Sequence, residues 1–228
     1  LAGPRWYFPE GAVRELLVYA GGALTYEHAD LYIDRVALLG LNMQFRSNWG
    51  GEIGITGGRA RDASVEYDSY EYNASAWFNI DPKWSANVYG GWLEGYNFLR
   101  GFQSYYAWLG SSFSWTAMDE LQVGTSFSMY IEGDEQRRTG EITYNARPYA
   151  SITPVNDLNL YAYLDLVTNR SSARVGQLIG GLLFSYQFLP KSWVYFSFNQ
   201  LNQRASPLDP LLARERGAVL KIKYLYYL

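Results

Sequence analysis

The sequence predicts an all-β fold, a sheet of about 12 antiparallel strands, and two observations carry this prediction. Apolar and polar residues alternate with period two along most of the chain, which is the pattern of a β-strand. Short turn-like segments recur about every 35 residues, with a longer polar segment between each pair. Short and long connections therefore alternate, as they do in a series of long hairpins.

The alternation defines two faces of the predicted sheet. In the first clear segment, Leu39, Leu41 and Met43 form an apolar face, whereas Asn42 and Gln44 form a polar face. The same pattern fills residues 70–80, 121–131, 142–152 and 217–228. Runs of this length with period two predict strands that carry different chemistry on their two sides.

Turn chemistry gives the number of strands. Tight turns rich in Gly, Pro, Asn and Asp are predicted near residues 48–51, 81–83, 117–120, 154–157 and 189–192. Longer polar connections are predicted at 59–67, 94–101, 132–140, 168–176 and 203–216, with a shorter one near 25–31. Six hairpins follow, hence 12 strands. We expect these strands to fill residues 13–228 and a separate N-terminal segment to fill residues 1–12.

Composition excludes several classes of function. Of 228 residues, 18% are aromatic and 18% charged, and the charged share is below the roughly 25% usual in soluble domains. There is no Cys and a single His, so the usual thiolate and zinc sites are not expected. A net charge of -3 argues against binding nucleic acid. We expect no cofactor and no bound metal.

The placement of the aromatic residues favours a membrane. Phe45, Trp49, Phe78, Trp84 and Phe188 gather on the tight-turn side, which is typical of an interfacial girdle. The polar face carries Ser, Asn, Gln, Gly and Tyr, where a sheet facing water would carry Lys and Glu. In a soluble barrel the apolar face would fill the core. We instead predict a closed antiparallel transmembrane β-barrel at 13–228, with short periplasmic turns and longer extracellular loops. Residues 1–12 are then an N-terminal periplasmic segment.

Closure of such a barrel requires its first and last strands to pair. These strands are predicted at about 13–24 and 217–228. Across this seam we expect Glu15 to lie beside Lys221 and Lys223, because the three residues fall on the polar face. A Glu15→Lys variant that folds and assembles as well as the parent would contradict this predicted contact.

The ending Lys-Tyr-Leu-Tyr-Tyr-Leu at 223–228 resembles the C-terminal signal of bacterial outer-membrane β-barrels, although Leu228 stands where Phe is usual. This resemblance covers nearly the whole chain. It implies an integral protein of the Gram-negative outer membrane that is inserted by the barrel-assembly machinery. Residues 181–200 and the ending Leu-Lys-Ile-Lys-Tyr-Leu are similar to the barrel of a poorly characterised family with an N-terminal carbohydrate-binding domain. No sugar-related role is carried over from that domain.

The candidates for chemistry are few. His28, with Glu27 and Asp30 nearby, could serve a rim lipase or protease, but no Gly-x-Ser-x-Gly motif accompanies it. Acidic clusters at Asp62, Glu66 and Asp68 and at 132–135 could bind Ca²⁺, yet neither has EF-hand spacing. Solvated loop residues explain both features. We therefore expect no enzymatic activity and no catalytic residue.

Charged and bulky residues of the polar face are predicted to line a pore. The set is Arg46, Glu71, Tyr106, Trp108, Glu141, Arg147, Asp165, Lys221 and Lys223. In an open lumen such charges set ion selectivity. Because the aromatic members are large and a 12-stranded lumen is narrow, we expect a narrow or occluded passage.

Arginine is concentrated in the long connections. Of 19 basic residues only four are Lys, and none of these lies in a long connection. The guanidinium fork suits bidentate contacts with phosphate, so we predict that the rim contacts lipopolysaccharide. Ion pairing with nearby Asp and Glu is the alternative explanation. The predicted contacts are Arg59, Arg61, Arg100, Arg137, Arg138, Arg170 and Arg174.

These features together predict a narrow porin-like channel for small polar solutes. A non-conducting barrel that anchors a partner protein or complex is the alternative, supported by the bulky polar face and the missing enzyme motif. A rim lipase or protease, which would depend on His28, is the third possibility. Single-channel conductance in planar bilayers separates the channel, which gives a steady ohmic current, from the non-conducting barrel, which gives none.

Overall fold

The computed structural model describes residues 1–27, 32–62 and 65–225. In these ranges the chain forms one 13-stranded sheet. Neighbouring strands follow one another in chain order. Within the described ranges no helix is long and apolar enough to cross a membrane. The strands are β1 (Arg5–Tyr7), β2 (Val13–Glu27), β3 (Tyr32–Phe45), β4 (Trp49–Asp62), β5 (Val65–Asp81), β6 (Trp84–Asn97), β7 (Phe102–Met118), β8 (Leu121–Gly133), β9 (Thr139–Val155), β10 (Leu158–Asn169), β11 (Val175–Leu189), β12 (Ser192–Gln203) and β13 (Leu212–Lys223).

The chain divides into two compact units. Unit 1 comprises Leu1–Ser111 and Met129–Ile142, and unit 2 comprises Ser112–Ser128 and Thr143–Leu228. In unit 1, β1 to β6 pair antiparallel in sequence order. In unit 2, β9 to β13 pair in the same way. The all-β antiparallel prediction is confirmed, and 12 of the 13 strands are long.

The five tight turns lie where the sequence predicts them. They join β3 to β4, β5 to β6, β7 to β8, β9 to β10 and β11 to β12. Asn48 and Lys191 adopt left-handed backbone conformations, with φ of 58° and 61°. Asn tolerates this conformation well, and at Lys191 the preceding Pro190 favours a turn that needs it.

The long connections are shorter than predicted. Arg59 and Arg61 lie in β4, and Arg214 and Arg216 lie in β13, although all four were predicted in loops. The polar composition of these segments predicts loops. Their residues nevertheless alternate between the two faces of the sheet and pair with neighbouring strands. Arg59 lies opposite Asp68 of β5, for example. Cross-strand pairs of opposite charge stabilise a sheet without apolar residues.

The two faces of each unit differ as the sequence predicts, and neither face forms a core. Among the described residues no apolar side chain is buried. On the apolar face of unit 1, Ile53 and Ile55 are 57% and 51% exposed. In unit 2, Leu164 and Leu182 are 49% and 43% exposed. The apolar side chains on one face of each unit are therefore exposed.

The N-terminal segment contains a short strand that the sequence pattern does not predict. β1 pairs with β2, with Arg5 opposite Leu17 and Tyr7 opposite Glu15. Glu15 forms its ion pair with Arg5 at 3.2 Å, a partner other than the expected Lys221 and Lys223. The hydrogen bond to Tyr7 and the nearby Glu15 raise the pKa of Arg5 above its already high value. β1 therefore occupies the edge of β2 that the predicted seam would use.

Candidate functional site

The polar face of unit 1 is organised around Glu52. The side-chain amide of Asn42 donates a hydrogen bond to Glu52 Oε2 at 2.8 Å, and the Tyr19 hydroxyl donates one to Glu52 Oε1. These residues come from three adjacent strands, and their side chains meet because the pairing places Asn42 opposite Glu52 and Tyr19 opposite Gly40. The carboxylate is thereby fixed by two donors and supplies negative charge to this face.

Three predicted pore-lining residues lie on the same polar face of unit 1. Glu71 of β5 lies opposite Thr56, and its Oε1 accepts a hydrogen bond from the Asn73 amide at 3.4 Å. Trp108 of β7 covers Gly91, which lies opposite Asn73. Tyr106 shares the face of Trp108 and lies 6.0 Å from Tyr130, measured between ring centroids. Glu52 and Glu71 make this face acidic.

The polar face of unit 2 carries an ion pair. The Arg147 guanidinium donates two hydrogen bonds to Asp165 Oδ2, that from Nε at 3.2 Å. Asp165 is only 3% exposed, whereas the Arg147 side chain is 47% exposed. The guanidinium carbon lies 5.1 Å from the centre of the Tyr163 ring, and the Tyr163 hydroxyl donates to Asn199 at 2.9 Å. Four side chains thus form one polar cluster in the middle of the strands.

The remaining predicted pore-lining residues are more dispersed. Lys221 and Lys223 of β13 lie opposite Tyr195 and Trp193 of β12, on the same face as Tyr163. Glu141 accepts a hydrogen bond from the Ile142 N–H at 2.9 Å. Arg46 lies in the turn after β3, where its guanidinium donates to the carbonyls of Phe8 and Gly11. It therefore fastens the N-terminal segment and does not belong to a strand.

Large aromatic side chains of the polar face lie flat against the sheet. Each covers a glycine on a neighbouring strand, at a place where a Cβ would overlap the ring. The pairs are Tyr19 with Gly40, Trp77 with Gly50, Tyr89 with Gly110, Trp108 with Gly91, Tyr149 with Gly124 and Tyr163 with Gly181. The rings add little thickness to the polar face, because the missing side chain makes room for them.

Adding a methyl group under one of these rings tests the arrangement. We expect Gly40→Ala to destabilise the folded protein by about 1–3 kcal/mol, because its Cβ overlaps Tyr19 and displaces the Tyr19–Glu52 hydrogen bond. Denaturant unfolding followed by Trp fluorescence measures the change. Gly95→Ala is the matched control, since no atom lies within 4 Å of its Cβ position and β6 lies away from the predicted seam. Equal stability of the two variants would contradict a close ring contact at Gly40.

The arginines predicted to contact lipopolysaccharide fall into two groups. Arg59 pairs with Asp68, Arg100 with Glu132 and Arg137 with Glu94, the first two at 2.7 Å. For Arg138, Arg170 and Arg174 the described part of the chain shows no side-chain ion pair. Arg61 donates its backbone N–H to Asp34 at 3.0 Å. Arg59 and Arg61 lie on the same face of β4 as Ile53 and Ile55. These two arginines are therefore at the loop end of the apolar face.

The acidic candidates that the structure describes do not form a metal site. Asp68 and Glu132 are held in ion pairs, and Asp134 accepts the Arg138 backbone N–H at 2.8 Å. Within the described ranges no group of three or more acidic or His side chains lies close enough to hold a metal. His28 and Asp30 lie outside the described residues.

Of the comparisons with known proteins, the one with solved structures finds similar chains. No protein-family model matches the chain, and no curated protein sequence matches it. Among solved structures, the chain is similar to a NanC porin, with a TM-score of 0.44 and 12% identity over 92% of this chain and 99% of that chain.

Proposed function

We propose that the chain is an integral bacterial outer-membrane protein that forms a narrow porin-like channel for small polar solutes. The observation that carries the proposal is the contrast between the two faces. One face exposes Ile53, Ile55, Leu164 and Leu182, which suit lipid. The other carries hydrogen-bonded Tyr, Asn, Glu, Arg and Asp side chains, which suit water.

The low profile of the aromatic rings supports conduction. A 12-stranded barrel has little internal width, so rings that projected from the wall would block it. Rings that lie over glycines, such as Tyr163 over Gly181, leave that space to solvent. The fixed charges Glu52, Glu71 and Arg147 would then contact a passing solute and set selectivity.

Planar-bilayer recording tests the channel directly. We expect the purified, folded protein to give stepwise, ohmic currents that are small compared with those of wider porins. Insertion is verified independently by protection of the strands from added protease. Silence of a correctly inserted protein would contradict the channel and favour the non-conducting anchor barrel.

Membrane insertion further requires that the sheet close, since an unpaired strand edge is too costly in lipid. We propose that β13 pairs with β2 in the membrane and that β1 leaves the β2 edge. Residues 16 and 18 of β2 and residues 220 and 222 of β13 all lie on the apolar face. The chain has no Cys, so paired substitutions give a clean background.

Disulfide formation tests this closure. We expect at least one of the four pairs that join Leu16→Cys or Val18→Cys with Leu220→Cys or Ile222→Cys to crosslink in vesicles. Directly opposed side chains on paired strands come close enough for a disulfide. Phe196→Cys with Leu220→Cys is the positive control, because these residues are opposite in β12 and β13. Crosslinking of the control alone would contradict closure.

A further inference from the structure

A groove runs along the apolar face of unit 2. It has a volume of about 570 Å³, within the range of ligand-binding clefts. Its floor consists of small residues, because Ala150 lies opposite Ala162 and Gly180 lies opposite Leu164. Leu164, Leu182 and Phe198 form its apolar walls. This floor creates a shallow groove of aliphatic character along the apolar face.

The groove ends in polar groups at the loop end of the strands. Gln200 and Asn202 continue the face of Phe198 along β12, where apolar residues would be expected. The Gln200 amide donates to Asn202 Oδ1 at 2.8 Å, and the Asn202 amide donates to the Leu178 carbonyl at 3.4 Å. Both amides are therefore fixed at the boundary of the apolar band.

A cation lies beside this polar end. Arg216 of β13 is directly opposite Gln200 and shares the apolar face. Among the residues that the structure describes, no carboxylate forms an ion pair with Arg216. A guanidinium without a carboxylate partner, next to two fixed amides, suits a phosphate group.

From this combination we infer that the groove binds one acyl chain of lipopolysaccharide, with a lipid phosphate at Arg216. The floor of Ala150, Ala162 and Gly180 accepts a thin aliphatic chain, and the walls bury it. Gln200 and Asn202 meet the polar linkage between chain and headgroup. The inference rests on the proposed membrane location, which places the loop ends of the strands in the outer leaflet, where lipopolysaccharide resides. It does not depend on whether the barrel conducts.

A matched pair of substitutions tests the groove. Ala162→Leu fills the floor, whereas Ala146→Leu adds the same atoms to the same face outside the groove. Rough lipopolysaccharide is the probe, titrated against the full chain in detergent and measured by native mass spectrometry. We expect one retained molecule per chain, at least tenfold weaker retention for Ala162→Leu, and unchanged retention for Ala146→Leu.

The headgroup contact has its own test. Arg216→Gln should weaken binding of phosphorylated lipopolysaccharide several-fold and leave binding of a dephosphorylated sample unchanged.

Equal retention of lipopolysaccharide by the wild type and Ala162→Leu would overturn the inference, as would the finding that a second copy of the chain covers this face. Phosphatidylglycerol bound as tightly as lipopolysaccharide would overturn the assignment of the lipid. Gly180→Leu provides a second variant that fills the groove. A Cβ added at Gly180 would lie 3.7 Å from the Leu164 side chain, which is ordinary van der Waals contact.

Failure here is distinguishable from failure of the proposed function. A conducting protein that retains no lipopolysaccharide would overturn the groove assignment alone. A chain that retains lipopolysaccharide in this groove and carries no current would contradict the channel alone.

Discussion

Replacing Ile55 by arginine is expected to destabilise the membrane-inserted protein by about 2–4 kcal/mol, the usual cost of a lipid-facing cation near the bilayer midplane. Ile55 is the seventh residue of the 14-residue strand β4, and it is 51% exposed on the apolar face. A guanidinium at this position would face hydrocarbon. Unfolding in guanidinium chloride of protein refolded into phospholipid vesicles measures the loss.

The neighbouring residue provides the control. Thr56 lies on the opposite face, directly across from Glu71. Thr56→Arg should therefore cost little, because the new cation meets water and a carboxylate. Equal losses for Ile55→Arg and Thr56→Arg would contradict the assignment of the faces. Folding of the wild-type chain in buffer without lipid or detergent would contradict it as well.

Removing the cation of the Arg147–Asp165 pair is expected to have the second large effect. We expect Arg147→Gln to destabilise the protein by about 1–3 kcal/mol, because it leaves the buried Asp165 carboxylate without its charged donor. Asp165→Asn should cost less, since the half-exposed guanidinium remains solvated. Under the proposed function, Arg147→Gln also leaves a net negative charge on the polar face, so the reversal potential should shift toward cation selectivity.

A double-mutant cycle isolates the ion pair. The double variant Arg147→Gln with Asp165→Asn should be more stable than the sum of the single losses predicts, because two neutral amides replace an unpaired charge. Vesicle unfolding gives the four stabilities, and bilayer recording gives the selectivity. Strictly additive losses would show that the two side chains do not stabilise each other.

Local sequence patterns predict most of the fold because the side-chain period of a strand needs no tertiary information. The alternation predicts that Asn42 and Gln44 lie on the opposite face of the sheet from Leu41 and Met43. The strand pairing confirms this. The tight turns follow from residues such as Pro190 and Asn48, whose backbone preferences are local. Strand ends are harder to predict. Arg59 looks like a loop residue until its partner Asp68 is known.

Features that depend on register could not be predicted. A glycine such as Gly181 gives no signal of its own, and it receives the Tyr163 ring only because β10 and β11 pair in one particular alignment. The Arg147–Asp165 pair depends in the same way on β9 and β10. The short strand β1 could not be predicted, because its three residues, Arg5–Tyr7, are too few to show a side-chain period.

The central claim is that the polar face lines a water-filled path through the membrane, and cysteine modification during bilayer recording tests it most directly. Ser75 lies opposite Glu52 on the polar face, and its neighbour Ala76 lies on the apolar face opposite Gly51. A cationic, membrane-impermeant thiol reagent should reduce the conductance of Ser75→Cys and leave that of Ala76→Cys unchanged. Unchanged conductance of Ser75→Cys after verified modification of its thiol, or a response of Ala76→Cys, would contradict the claim.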